Sequence, residues 1–207
     1  MKPLTPEDFA VATGVSRETL SRLEAYAALL ERWQSRINLV SGTTLSDLWR
    51  RHILDSAQLY PLVPDPGGQL VDLGSGAGLP GLVLAAMGIP HVRLVESDKR
   101  KATFLREASR AMGLTTDVIA DRAEAMSPVR ANTITARAFA PLPRLLALAE
   151  PLIGPETVLV LPKGRSADEE LTDALRAWTM AAERFPSLTD SSGVILRLKG
   201  VSRGTSS

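Results

Sequence analysis

VDLGSGAGLPG, running from Val71 to Gly81, is the stretch whose reading decides the fold. Glycines at 74, 76, 78 and 81 stand between a short apolar strand, Leu70 to Leu73, and a short helix, Pro80 to Met87, closed by Gly88. Missing side chains let the backbone turn tightly there and approach a ligand closely, beside a helix N-terminus. Read from Gly76, the stretch also fits the dinucleotide pattern G-x-G-x-x-G, with Glu96 about twenty residues beyond. A purely structural turn capped by an acid fits it too, so the neighbouring residues have to decide.

Outward from this loop the pattern alternates. His91 to Glu96 reads as a second strand, and Asp98 to Met112 as a helix with Phe104, Leu105, Ala108 and Met112 on one face, closed by Gly113. Weaker strands follow near Asp117 to Ala120 and Asn132 to Ala136. Leu142 to Ile153 reads as a helix, Thr157 to Leu161 as the clearest apolar strand, Ala167 to Met180 as a helix and Gly193 to Leu198 as a terminal strand, with VSRGTSS as a frayed tail. Strands alternating with helices predict an α/β fold: a Rossmann-like, doubly wound, mostly parallel sheet.

Upstream the chain is helical. Thr5, Pro6, Glu7 and Asp8 mark a helix start. From about Ser16 to Gln34, Leu20, Leu23, Ala27, Leu30 and Trp33 form one apolar stripe. A loop at Asn38 to Thr43 precedes a further helix from Leu45 to about Leu59, which PLVPDPGG, Pro61 to Gly68, must break. The expected organisation is an N-terminal helical extension, residues 1–66, packed on a core domain, residues 67–207.

Acids at the strand ends tilt the ligand choice. Strands feeding a dinucleotide loop usually stay apolar, whereas Asp72 suits a ligand with positive charge. S-adenosylmethionine carries a sulfonium and an ammonium and no phosphate. Glu96 is placed to accept both ribose hydroxyls. Glu124, in DRAE (Asp121 to Glu124), follows the third strand, where backbone groups at Ala123 and Glu124 are placed to meet an adenine; a solvated acid at a helix start is the competing reading.

Composition narrows the chemistry. The 207 residues are 44% hydrophobic and 23% charged, ordinary for a globular chain, and only 4% aromatic, so the core rests on aliphatic side chains. A net charge of +1 argues against a non-specific nucleic-acid coat while allowing a local basic surface. No apolar run approaches the roughly 20 residues that span a bilayer, and MKPLTPEDFA lacks the apolar stretch of a secretory signal, so a cytoplasmic protein with no membrane contact is expected. There is no cysteine, which excludes disulfides, thiolate metal sites and a cysteine nucleophile for attack on a pyrimidine. The Asn/Asp-Pro-Pro-aromatic motif of exocyclic-amine methylation is also absent: its place reads TARAFAP, Thr135 to Pro141. A ring nitrogen that already owns an in-plane lone pair, such as guanine N7, needs neither device, and catalysis would be mostly alignment.

The ordered set RINLVS (Arg36 to Ser41), RHILDS (Arg51 to Ser56), VDLGSGAGLPG, VESDKRKATFLREA (Val95 to Ala108), ARA (Ala136 to Ala138) and LPKG (Leu161 to Gly164) resembles the bacterial small-subunit rRNA guanine-N7 methyltransferase family, RsmG or GidB, over nearly the whole chain. Asn132 departs from it, standing where the family often has an aspartate. The resemblance implies a class I methyltransferase fold, with S-adenosyl-L-methionine at Gly74, Leu79, Ala123, Glu124 and Arg137. Asp72, Gly76, Gly78 and Glu96 join that set from the residue reading. The resemblance also implies a guanine in the decoding-region loop of 16S rRNA as substrate, within the 30S subunit. We expect a monomer, no metal, and no general base. Competing readings are a methyltransferase of the same fold acting on a small molecule or protein, a non-enzymatic RNA-binding module with a degenerate loop, and last a dinucleotide oxidoreductase.

Candidate RNA contacts are Arg137, Lys163, His52 and Arg51. Arg137 follows the fourth strand, where such sheets place ligand groups, although a surface ion pair is the alternative. Lys163 sits similarly after the fifth, and as a plain loop lysine would do nothing. His52, beside Arg50 and Arg51, is more often a packed or capping histidine than a catalyst. Lys99, Arg100 and Lys101 open a helix against its macrodipole, and Arg197, Lys199 and Arg203 offer a basic edge.

Overall fold

The computed structural model describes residues 2–126 and 129–204. Two helices open it. α1 (Pro6–Thr13) starts on a reciprocal cap, in which the Thr5 hydroxyl accepts the Asp8 N–H and the Asp8 carboxylate accepts the Thr5 N–H. Gly14, at φ 67°, ends it, and Ser16 caps α2 (Arg17–Gln34). The helix expected from Leu45 is wound differently. A single turn, α3 (Gly42–Leu45), is followed by a π-helical stretch, Trp49–Leu54, running into α4 (Asp55–Ala57). Apolar spacing at Leu48, Ile53 and Leu54 announces a helix but does not distinguish the wider π winding, a form concentrated at functional sites.

Five strands of a seven-stranded sheet follow, in the order β3-β2-β1-β4-β5. β1 (Leu70–Leu73), β2 (Val92–Val95), β3 (Asp117–Ile119), β4 (Thr133–Thr135) and β5 (Val158–Lys163) are mutually parallel. Between them lie α5 (Gly81–Ala86), α6 (Lys99–Ala111) and α7 (Leu142–Ala149), the last continued by one 3₁₀ turn, Glu150–Leu152. The sheet is doubly wound. Leu70, Val92, Leu94 and Val160 face α5, α6 and the N-terminal helices, while Val71, Leu73, Ile134, Leu159 and Leu161 face α7 and α8 (Ala167–Ala174). Period-two alternation in buried strands thus makes two cores from one sheet.

The α2 stripe packs into the first core, and Tyr26 ties it to the glycine loop: its fully buried hydroxyl donates to the Ala77 carbonyl at 2.7 Å. Burial pushes the phenol's pKa upward, keeping that donor protonated. The basic run opening α6 is offset by its cap, Asp98, whose carboxylate accepts the Arg100 and Lys101 N–H groups. Asn132 accepts the Gln69 N–H through its oxygen, as an aspartate could, but its amide also donates to Asp65, which an ionised aspartate could not do.

The C-terminal expectations need correction. The helix expected to reach Met180 stops at Ala174, and Trp178–Pro186 is a strand, β6. The terminal strand, β7 (Val194–Arg203), runs past Leu198 into the stretch expected to fray, pairs antiparallel with both β5 and β6, and reaches the last described residues; Thr205 to Ser207 lie outside them. The basic edge is paired with acids as well. Arg197 and Lys199 pair with Glu183, and Arg203 pairs with Glu150 and lies 4.9 Å from the Trp178 ring centroid. Among the described residues no helix is long and apolar enough to cross a membrane.

Candidate functional site

The carboxyl ends of β1, β2, β4 and β5, the π-helical segment and the turn after β6 enclose a cleft of about 1130 Å³. It lies where the strand order reverses between β1 and β4, the usual ligand position in such sheets. Gly74, Gly76, Leu79, Glu96, Ala123, Glu124, Arg137, Lys163, His52 and Arg51 all line it. Asp72 and Gly78 do not.

Glu96 organises the side nearest β2. One carboxylate oxygen accepts the Gly76 N–H and the other the Asp98 N–H, each at 2.8 Å. Loop and helix entry are therefore fixed by one side chain, and each oxygen retains a further lone pair for a ligand. Gly76, at φ 56°, faces open cleft: a methyl group there would have only the Gly74 carbonyl within reach, at 3.8 Å. Gly78, at φ 84°, lies beneath the loop, where a methyl would sit 2.4 Å from Leu82. Ala123 and Glu124 stand on a 3₁₀ turn, Ala123–Ala125, at the rim.

Asp72 is displaced from its expected place against a cationic ligand. It is fully buried, accepting the Thr135 hydroxyl at 3.0 Å and the Gly81 N–H at 3.2 Å. It shares the inward parity of Leu70, which aims it at the start of α5 and not at the cleft. Burial pushes its carboxyl up to about 6, against hydrogen bonds and the Arg137 charge, which pull it down. The folded state then holds more protons than the unfolded chain between the ordinary value of 3.8 and about 6. This group's contribution is accordingly greatest at acid pH and is lost as pH rises through about 6, by about 3 kcal/mol in all. Asp72→Asn, with the Thr135 hydroxyl turned to accept, should remove that slope. Urea unfolding of both proteins between pH 4.5 and 7.5 should show wild type losing ground to the variant as pH rises; a constant difference would refute it.

The opposite side is basic, and its cations are held from behind. Arg137 donates through Nη1 to Asp55 at 3.3 Å and to the Arg51 carbonyl at 3.4 Å, and through Nη2 to His52 Nδ1 at 3.1 Å. His52 Nε2 meets the Thr44 hydroxyl at 2.7 Å. Burial, then Arg137 and Arg51, push His52 down to about 4. Asp55 is held in turn by Thr189 and Gln58. Lys163 is a clamp: its ammonium reaches Glu170 at 2.8 Å and the Ala140 carbonyl at 3.1 Å, and Glu170 also accepts the Leu142 N–H that opens α7. Arg51 donates to the Thr189 carbonyl and stays exposed. Ala138, at φ 51°, is the one non-glycine residue at positive φ among those described, a strained conformation of the kind that clusters at functional sites. Its neighbour Phe139 packs so close to Gly74 that a methyl there would sit 2.2 Å from the ring.

Sequence reasoning overlooked Thr44, Asp55, Phe139, Glu170 and Thr189. Asp55 stands four residues after Arg51 inside RHILDS, so its carboxylate beside that motif was a usable signal. Thr189 had none, because the turn that carries it follows an unexpected strand.

A family model described as "GidB: rRNA small subunit methyltransferase G" matches residues 19–201. The chain is 53% identical to a protein of Paramagnetospirillum magneticum named ribosomal RNA small subunit methyltransferase G, over 96% of this chain and 97% of the relative. It is 54% identical to a protein of the same name from Rhodospirillum rubrum, over 97% and 100%. Among solved structures, a variant of MtNAS in complex with S-adenosylmethionine superposes with a TM-score of 0.60 at 17% identity, over 95% of this chain and 84% of that one, a likeness of fold. With a family model over most of its length and full-length relatives at half identity, the chain belongs to the rRNA small subunit methyltransferase G family.

Proposed function

We propose that this protein uses S-adenosylmethionine to methylate N7 of a guanine in the decoding-region loop of 16S rRNA, acting as a monomer on the 30S particle. The observation that carries the N7 choice is how the titratable groups deep in the cleft are spent. Glu96 accepts two backbone N–H groups, Asp55 holds Arg137, Glu170 holds Lys163, and the lone pair of His52 is taken by Arg137. In this reading the free lone pairs of Glu96 serve the donor's ribose and the other groups hold one another, so none is assigned to remove a proton, and N7 has none to remove. Positioning alone then carries the reaction, worth several kcal/mol when the reacting atoms are held in line.

The donor fits the side of the cleft nearest β2. Glu96 is there to accept the ribose hydroxyls, the open Cα of Gly76 admits a close approach, and the rim at Ala123 and Glu124 suits the adenine. When bound, the cofactor supplies an electrophilic methyl group. The basic side, with Arg51, Arg137 and Lys163, suits a polyanionic RNA strand.

Labelled methyl from S-adenosylmethionine should enter 30S subunits, and free 16S rRNA and total protein serve as the contrasting acceptors. N7-methylguanosine is a cationic ring, labile to borohydride reduction and aniline cleavage. One such scission is expected in 16S rRNA from cells carrying the enzyme and none after deletion. Identical cleavage patterns would rule out N7 while leaving the methyltransferase reading in place.

A further inference from the structure

We propose that His52 is a positioning residue: a neutral imidazole whose Nδ1 accepts from Arg137 and so holds that guanidinium in the orientation methyl transfer requires. The inference rests on reading the cleft as the site of rRNA methylation.

The hydrogen-bond chain fixes every proton. A guanidinium has only donors, so the 3.1 Å contact between Arg137 Nη2 and His52 Nδ1 requires a bare Nδ1. On the far side of the ring, the Thr44 hydroxyl gives its proton to the Ser41 carbonyl at 2.8 Å, so its oxygen is free to accept from Nε2 at 2.7 Å. The imidazole is therefore the Nε2–H tautomer, and protonating Nδ1 would set one N–H against another. The charged groups around it agree: Arg137 faces it from the end of β4 and Arg51 from its own turn, both cationic, while the Asp55 carboxylate is spent on Arg137 Nη1. Burial and these cations keep the ring neutral at physiological pH.

Anchors on both terminal nitrogens, Asp55 and the Arg51 carbonyl on Nη1 and His52 on Nη2, define the guanidinium plane; without His52, both remaining acceptors would sit on one nitrogen and leave Nη2 unheld. Among the described residues, neither the remaining Nη2 proton nor the Nε proton of Arg137 has a protein acceptor, and the side chain lines the cleft. Those donors are what the anchors present to a ligand. The π winding of Trp49–Leu54 accommodates this arrangement, since it carries Arg51 and His52 into the cleft wall beside Asp55.

Two substitutions separate the contacts. In His52→Asn the side-chain oxygen replaces Nδ1 and still accepts from Arg137; in His52→Gln the amide reaches toward Thr44 and the Arg137 contact is lost. With both substrates saturating, His52→Gln should lower kcat by about tenfold to a hundredfold, the scale of a misplaced reacting group. His52→Asn should stay within about threefold of wild type, and the double variant His52→Gln/Arg137→Ala should be no slower than Arg137→Ala alone. Equal losses in the Asn and Gln variants, or additive losses in the double variant, would overturn the proposal. Nitrogen-15 correlation spectra of the wild-type imidazoles, of which the chain has two, guard against a variant that fails to fold. They should show His52 with a bare Nδ1 and a protonated Nε2 at neutral pH; a proton on Nδ1 overturns the arrangement. If wild type transfers no methyl to any rRNA, the functional reading fails instead, and the spectra still decide the imidazole.

Discussion

Replacing Glu96 with alanine is expected to weaken S-adenosylmethionine binding by about 1.5–3 kcal/mol, or tenfold to roughly a hundredfold, in a protein that still folds. The loss has two parts. Charge-assisted hydrogen bonds to the donor disappear, and so do the acceptors that hold the Gly76 and Asp98 N–H groups. Because both oxygens accept from backbone N–H groups, Glu96→Gln is not a mild change: its amide would oppose one N–H, and its affinity should fall close to that of alanine. Titration calorimetry on both variants measures this, and unchanged affinity would remove Glu96 from the donor site.

The second large effect divides the glycine loop. Gly78→Ala should cost about 2–5 kcal/mol, summing a left-handed backbone with a methyl forced into Leu82 and Leu105. At this chain length that lowers the melting temperature by roughly 5–15 °C. Gly76→Ala carries a similar backbone strain, about 1–2 kcal/mol, but no overlap, because its methyl enters open cleft. It should melt only a few degrees early and yet lose donor binding. Thermal melts paired with calorimetry would show the two variants failing in opposite ways. If Gly76→Ala binds normally, the loop is a turn and not a cradle.

Where residues repeat at the period of their element, the sequence reveals the architecture. The stripe of α2 and the alternation in β1, β2 and β5 are such places, and the strand-loop-helix at Val71–Gly81 placed the cleft. β6 escaped notice because WTMAAERFP has no alternation to detect: most of its residues are exposed, its alanines, Met180 and Glu183 favour helices, and pairing with β7 alone makes it a strand. Asp72 was misplaced for a related reason. Its position before the loop is visible in sequence, but which side of a four-residue buried strand it takes depends on register. His52 and Arg137 both drew attention, and only three dimensions show them bonded, since they lie 85 residues apart.

β7 comes last among the strands in sequence yet lies between β5 and β6 in the sheet. On a growing chain, the hydrogen-bonding edge of β5 therefore stays bare until residues 194–203 emerge, and β6, already made, has no partner to dock on. An unpaired apolar strand edge is the feature that invites intermolecular pairing. The risky interval in this protein's biosynthesis is therefore the one between the completion of β5 and the emergence of β7. A nascent chain that stalls shortly before Val194 would present an open sheet to its neighbours, with the five parallel strands already assembled behind it.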